Sequence, residues 1–269
     1  MIYFAIALLA EAKPLIKKCK LTLEQQTPFQ IYSNESFRVI ITGMGKDNAL
    51  MATSHLLTRF PPHSSDILIN FGLAGAKEDY EIGTLVLAHT LTDKSSHKSF
   101  YPDMRLIHNY KELALTTVTE PQTTIDENIE AVDMEAFGVY QAALLFCKSS
   151  QILTFKLISD HFSAVIPSKE QVNTWIEPHL ESLLLLVENY QSKLPNKLKF
   201  SPLLAGEIAK TVTTLKLTTS QENQLNDTLK GYLLKYNKEP MLPKHLPELT
   251  LHKKEQKDAF SKLIKLLTA

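Results

Sequence analysis

Five short segments hold the residue types that could do chemistry. They are Leu9–Ala10–Glu11, Gly43–Met44–Gly45–Lys46–Asp47–Asn48–Ala49, Asn70–Phe71–Gly72–Leu73–Ala74–Gly75, Val132–Asp133–Met134–Glu135–Ala136 and Leu157–Ile158–Ser159–Asp160. Carboxylates on separate segments can divide acid and base work between them. Singly, each segment also has a plain structural reading. An acid after a strand caps a helix or meets solvent. Glu135 is a favourable first-turn charge, and Gly43 and Gly45 suit a turn into a helix. The glycine spacing is not the dinucleotide fingerprint, because Asn48 stands where the third glycine belongs.

Other chemistries lack their residues. The nine histidines and two cysteines, Cys19 and Cys147, show no metal-ligand spacing, so no metal and no cofactor is expected. There is no phosphate-binding Gly-x-x-x-x-Gly-Lys loop and no Gly-x-Ser-x-Gly elbow. The cysteines are far apart in the chain and suit a reduced interior.

The elements that must position these residues read as an alternation of strands and helices. Apolar runs predict strands at Ile2–Leu9, Ile67–Phe71, Thr84–Leu91, Leu113–Val118 and Ile152–Ile158. Phe29–Tyr32 and Phe37–Thr42 read as a strand pair around Ser33–Asn34. Helical periodicity spans Asn48–Phe60, ended by Pro61–Pro62, and Met134–Lys148. A capping box at Ser168–Gln171 opens a long helix to about Gln191, with a kink at Pro178. The polar segment Thr92–Tyr110, with Tyr101, His97 and His108, reads as a substrate loop. The pattern is α/β, with a central mixed sheet over residues 1–193.

Beyond Pro195 the pattern changes to Leu/Lys helices, and residues 196–269 read as a small helical appendage. Thr219–Ser220–Gln221–Glu222 resembles a cap there, Pro240, Pro243 and Pro247 divide the last two helices, and Leu225, Leu229, Leu233 and Leu234 share a helical face. The chain carries 29 basic and 29 acidic residues. This neutrality argues against nucleic acid or a membrane surface as the main partner. It conceals a tail of about +6 beyond Asn196 against about −6 in the body. The apolar start of the chain is too short to cross a bilayer and lacks a basic flank, so it reads as a buried strand and the cytoplasm as the setting.

Taken in order, four motifs resemble the superfamily of purine nucleoside phosphorylases and methylthioadenosine/adenosylhomocysteine nucleosidases. They are Gly43-x-Gly45-Lys46-x-Asn48-Ala49, Asn70-x-Gly72-x-Ala74-Gly75, Asp133-Met134-Glu135-Ala136-x-Gly138 and the strand ending Ile158-Ser159-Asp160. The resemblance spans residues 2–190 and implies the three-layer nucleoside phosphorylase/hydrolase fold. It assigns Asp160 as the general acid that protonates N7 of a leaving purine, with Ser159 steadying it. It assigns Glu135 to the ribose hydroxyls, Met134 to the sugar face, and the Gly72–Leu73–Ala74 turn to the substrate. Glu11 aligns with the glutamate that activates water in the nucleosidase branch. The chemistry is coherent: N-glycosidic cleavage needs a protonated leaving group, a stabilised cationic sugar and a nucleophile.

Phosphorolysis needs a cationic pocket. Asn70 stands where an arginine is expected in the phosphorylase branch, and Leu73 where a hydroxyl is. The only arginines are Arg38, Arg59 and Arg105. Hydrolysis of a purine nucleoside is therefore expected, with phosphorolysis, using phosphate and an Arg38 that reaches a neighbouring subunit's pocket, as the alternative. A nucleoside-binding protein with a partner-docking tail is the third reading. The resemblance implies a homo-oligomer, a dimer by preference.

Overall fold

The computed structural model describes residues 1–121, 128–163, 167–194, 200–236, 238–242 and 253–268. The chain divides into two compact units, Met1–Pro195 and Asn196–Ala269.

In the first unit, β1 (Ile2–Ile6) lies between β4 (Phe37–Ile41) and β5 (Ile67–Ala76), parallel to both. Beyond β4 the sheet continues antiparallel through β3 (Ile31–Ser33) to β2 (Thr22–Gln25). On the other side it closes on itself. β5 pairs with β10 (Ile152–Asp160), then β6 (Leu85–Asp93), β8 (Lys111–Thr117) and β9 (Ala131–Asp133) follow, and β9 returns to β5. A two-residue strand, β7 (Ser99–Phe100), pairs with β6. Closure removes two free edges from the sheet.

Side chains alternate across the strands, so the sheet has an apolar layer on each face. Ile2, Phe4, Ile69, Phe71 and Phe155 pack with α1 (Leu9–Lys18) and α4 (Lys169–Lys193). Tyr3, Ala5, Leu68, Ala74 and Ile158 pack with α2 (Lys46–Arg59) and α3 (Ala136–Ala143). This is the three-layer α/β fold.

Several boundaries differ from the sequence reading. The first strand stops at Ile6, and Leu9 opens α1, so Glu11 sits in a helical first turn rather than in a loop. Pro14 inside that helix disguised it, since proline is costly in helix interiors. β5 runs through Gly72 and Gly75 instead of ending before them. The helix expected over Met134–Lys148 covers only Ala136–Ala143, because Val132–Asp133 belong to a strand. The Ser168 cap forms as expected, with its hydroxyl accepting from the Gln171 N–H, and α4 continues through Pro178. Most of the polar segment 92–110 is irregular, but Thr92–Asp93 extend β6.

The second unit contains α5 (Pro202–Thr214), α6 (Thr219–Tyr236) and α7 (Lys253–Thr268). Ser201 caps α5, with Pro202 in the first turn where no N–H is needed. The residue capping α6 is Thr218, one before the expected position; its partner is Gln221. Leu225 and Leu229 face inward onto Leu204, Leu215, Phe260 and Leu263, a core of the unit's own. Pro243, Pro247 and the Leu234 side chain lie outside the described residues. Among the described residues no helix is long and apolar enough to cross a membrane.

Candidate active site

A pocket opens where β1, β5 and β10 end and β9 crosses toward α3. Ala7, Leu8, Glu11, Leu73, Ala74, Gly75, Asp133, Met134, Glu135, Ser159 and Asp160 line it, with Met44 and Val118 among the apolar contributors. Carboxyl ends of parallel strands are where open α/β sheets leave such a crevice. Of the residues singled out in the sequence, Glu11, Leu73, Ala74, Met134, Glu135, Ser159 and Asp160 come together here. Gly72 does not line the pocket but lies just behind it.

The two glycines of the β5 motif have a steric reason. A Cβ on Gly72 would lie 3.3 Å from Glu11 Oε2 and 3.6 Å from Lys156 Nζ. A Cβ on Gly75 would lie 3.0 Å from Asp160 Oδ1. Both positions leave the strand backbone bare so that a carboxylate can stand against it.

Glu11 occupies the first turn of α1 and accepts from the Leu8 N–H. Burial pushes its carboxyl up to about 7; Lys156 opposes that shift, while Glu135 and Asp133 add to it. Glu135 precedes the first residue of α3 and accepts the Gly45 N–H at 2.9 Å. Burial, then the charge of Asp133, raises its carboxyl too.

Between these acids stands Lys156, the cation of the cluster, 1% exposed on β10 with Nζ 2.8 Å from Asp133 Oδ2. Burial works to lower its ammonium, but Asp133, Glu135 and Glu11 outweigh it and raise it. Asp133 also takes the Thr117 hydroxyl and the N–H groups of Glu135 and Ala136, so it caps α3 while pairing the lysine. The sequence reading passed over Lys156. A lysine in the middle of an otherwise apolar buried strand was the available signal, because a buried ammonium requires carboxylate partners.

Asp160 is arranged differently. It ends β10 beyond an irregularity in the register at Ser159, and it is half-buried. Its Oδ2 lies 2.7 Å from the Ser159 hydroxyl and its Oδ1 accepts the Ser163 N–H at 2.9 Å. That turn is completed by Phe162 at a φ of +55°, a left-handed conformation unusual for a non-glycine residue. Ser159 Oγ is also 3.2 Å from the Ala74 carbonyl. The hydroxyl can donate to an ionised Asp160, or turn its proton to Ala74 and accept from a protonated one. Dry surroundings are found around Glu11 and Glu135 rather than around Asp160.

The remaining candidates lie elsewhere. Arg38 pairs with Glu24 at 3.2 Å and stacks over Phe60. Arg105 pairs with Asp103. The substrate loop proposed over Thr92–Tyr110 contributes nothing to the described lining: His108 pairs with Glu112, and Tyr101 is exposed. His161, next to Asp160 in the chain, has its Nδ1 3.1 Å from the Ala76 carbonyl oxygen.

No protein-family profile matches the sequence, and no curated protein matches it. Solved structures do. A 5′-methylthioadenosine nucleosidase of Arabidopsis thaliana is 20% identical, with a TM-score of 0.59 over 72% of this chain and 96% of that one. An MTA/SAH nucleosidase is 19% identical with a TM-score of 0.61, over 72% and 96%. The 5′-methylthioadenosine/S-adenosylhomocysteine nucleosidase of Campylobacter jejuni is 18% identical with a TM-score of 0.56, over 70% and 98%. The chain has the nucleosidase fold. Nearly the whole of each nucleosidase is covered by about the share of this chain that Met1–Pro195 represents.

Proposed function

We propose that the first unit hydrolyses the N-glycosidic bond of a purine nucleoside. The observation that carries this reading is the charge of the pocket wall. Four carboxylates, Glu11, Asp133, Glu135 and Asp160, line it, with no Lys, Arg or His among the described lining residues. Such a wall stabilises a sugar that becomes cationic, and with Lys156 behind it and paired to Asp133 it offers a phosphate dianion no cation among the described lining residues, which favours water as the nucleophile.

Each group has a step. Glu11, with its carboxyl near 7, removes a proton from water as the oxygen attacks C1′. The electrons of the C1′–N9 bond pass into the purine, and Asp160 supplies the proton that N7 gains. Ser159 holds Asp160 through either protonation state. Glu135 accepts hydrogen bonds from the ribose hydroxyls, which strengthen as positive charge grows on the ring, and Met134 packs against the sugar. The products are free base and free sugar.

Leu8 and Met44, both exposed at the pocket, offer apolar surface for a 5′ substituent. A thioether fits that surface better than a phosphate ester, so methylthioadenosine and adenosylhomocysteine are the first substrates to try. By the same resemblance the protein acts as a homodimer.

The test is release of base from methylthioadenosine, adenosylhomocysteine and inosine, with and without phosphate. Free sugar formed without phosphate is the expected outcome. Sugar 1-phosphate formed only with phosphate would make the protein a phosphorylase. Silence across the panel would leave a nucleoside-binding role for the pocket.

A further inference from the structure

Gly138 belongs to a motif whose acids have roles above, yet it has none. An ideal Cβ built on it would lie 2.1 Å from the Lys46 carbonyl oxygen and 3.2 Å from Lys46 Cγ. Real Cβ atoms do not approach closer than 3.0 Å. A side chain at 138 must therefore drive the start of α2 and α3 apart by about 1 Å.

Lys46 is fixed at its other end as well. Its Nζ lies 3.0 Å from both carboxylate oxygens of Asp93, at the end of β6. Asp93 is buried and also takes the hydroxyls of Ser95 and Ser96. Burial works against its charge, but these donors outweigh it and hold its carboxyl well below the usual range. Lys46 is thus pinned at the carbonyl by α3 and at the ammonium by β6.

The residue before it, Gly45, has a φ of +96° and donates its N–H to Glu135 Oε1. Glu135 and Gly138 sit one turn apart at the start of α3. The contact that sets the spacing of the two helices therefore also sets the distance from the donor to the carboxylate.

We propose that Gly138 and the Lys46–Asp93 ion pair are positioning residues for Glu135, and that through it they set the preference of the pocket for a ribose over a 2′-deoxyribose. This rests on the nucleosidase reading for the identity of the sugar. A misplacement of about 1 Å can cost about 100-fold.

The experiment measures equilibrium binding and turnover of adenosine and 2′-deoxyadenosine by the unaltered protein, Gly138→Ala, Asp93→Asn and Glu135→Ala. The unaltered protein should prefer adenosine. Gly138→Ala should lose about 100-fold on adenosine and far less on 2′-deoxyadenosine, so that its preference collapses to that of Glu135→Ala. Asp93→Asn, which keeps the volume, should lose about tenfold in the same direction, and it carries the test alone if the alanine variant does not fold. A preference retained in both variants, or both nucleosides weakened alike, overturns the proposal. So does an unaltered protein that does not distinguish the two. Selectivity in binding is read without turnover, so absence of base release would defeat the nucleosidase reading separately.

Discussion

The two ends of the pocket hold their acids by opposite means. At one end Glu11 is buried beside Lys156, Asp133 and Glu135, and its titration is governed by the loss of water and by nearby charge. At the other end Asp160 is half-buried and held by two neutral donors, the Ser159 hydroxyl and the Ser163 N–H. Burial and charge tune the first carboxyl toward the range of a base at neutral pH; hydrogen bonds aim the second without a charged partner. An acid that must pass a proton to a substrate needs a defined direction, and a base that must take one from water needs a suitable affinity for it. A fold can supply these separately only by building two unlike environments a few residues from its strand ends.

The comparison breaks most visibly if Asp160 is replaced. Asp160→Asn keeps the shape and the Ser163 contact but cannot supply a proton, and base release should fall by about 10³-fold, with thermal melting close to that of the unaltered protein. Equal activity in both would remove Asp160 from the reaction.

The next effect falls on the other end. Lys156→Met leaves three buried carboxylates without their cation, and stability near pH 7 should drop by about 3 kcal/mol. Because the acids can neutralise themselves by taking protons, the loss should shrink at pH 5. Denaturant unfolding at the two pH values checks this, and an equal loss at both would mean that packing, rather than charge, is what Lys156 contributes.

Glu11 sharpens the contrast further. Its folded value of about 7 lies above the ordinary 4.5, so the folded protein keeps a proton that the unfolded chain has already released. Stability should therefore decline as pH rises from about 4.5 to 7, and Glu11→Gln should flatten that slope. As the proposed base, Glu11 must be ionised, so kcat/KM should rise with pH through an acid limb centred near 7. A limb centred near 4.5 would mean that burial does not tune this group. The smallest change is expected from Ser159→Ala, which removes one of two donors to Asp160 and should cost roughly fivefold in rate.

Much of this arrangement was legible in the order of residues. The long apolar runs marked the central strands, because a strand covered on both faces must be apolar throughout. The capping box at Ser168 marked its helix, because the bonds it makes are local. Lys156 was hidden by its setting within an apolar run, and α1 by its proline. Thr92–Tyr110 is not among the described residues that line the pocket, since polarity identifies a loop but not the direction in which it runs.

By itself the sequence determined that Glu11, Glu135 and Asp160 are carboxyl groups able to carry acid or base chemistry and that strands and helices alternate around them, because those properties depend on residue type and local periodicity; the division into acid, base and sugar ligand is what the family resemblance implies. Only the tertiary structure decided that Glu11, Asp133 and Glu135 share one buried lysine, that Gly72, Gly75 and Gly138 are places of close approach, and that Asp160 remains half-open. Those depend on the closure of the sheet through β5 and β10 and on how α2 meets α3. Distances between segments far apart in the chain are set by packing, and packing has no local signature.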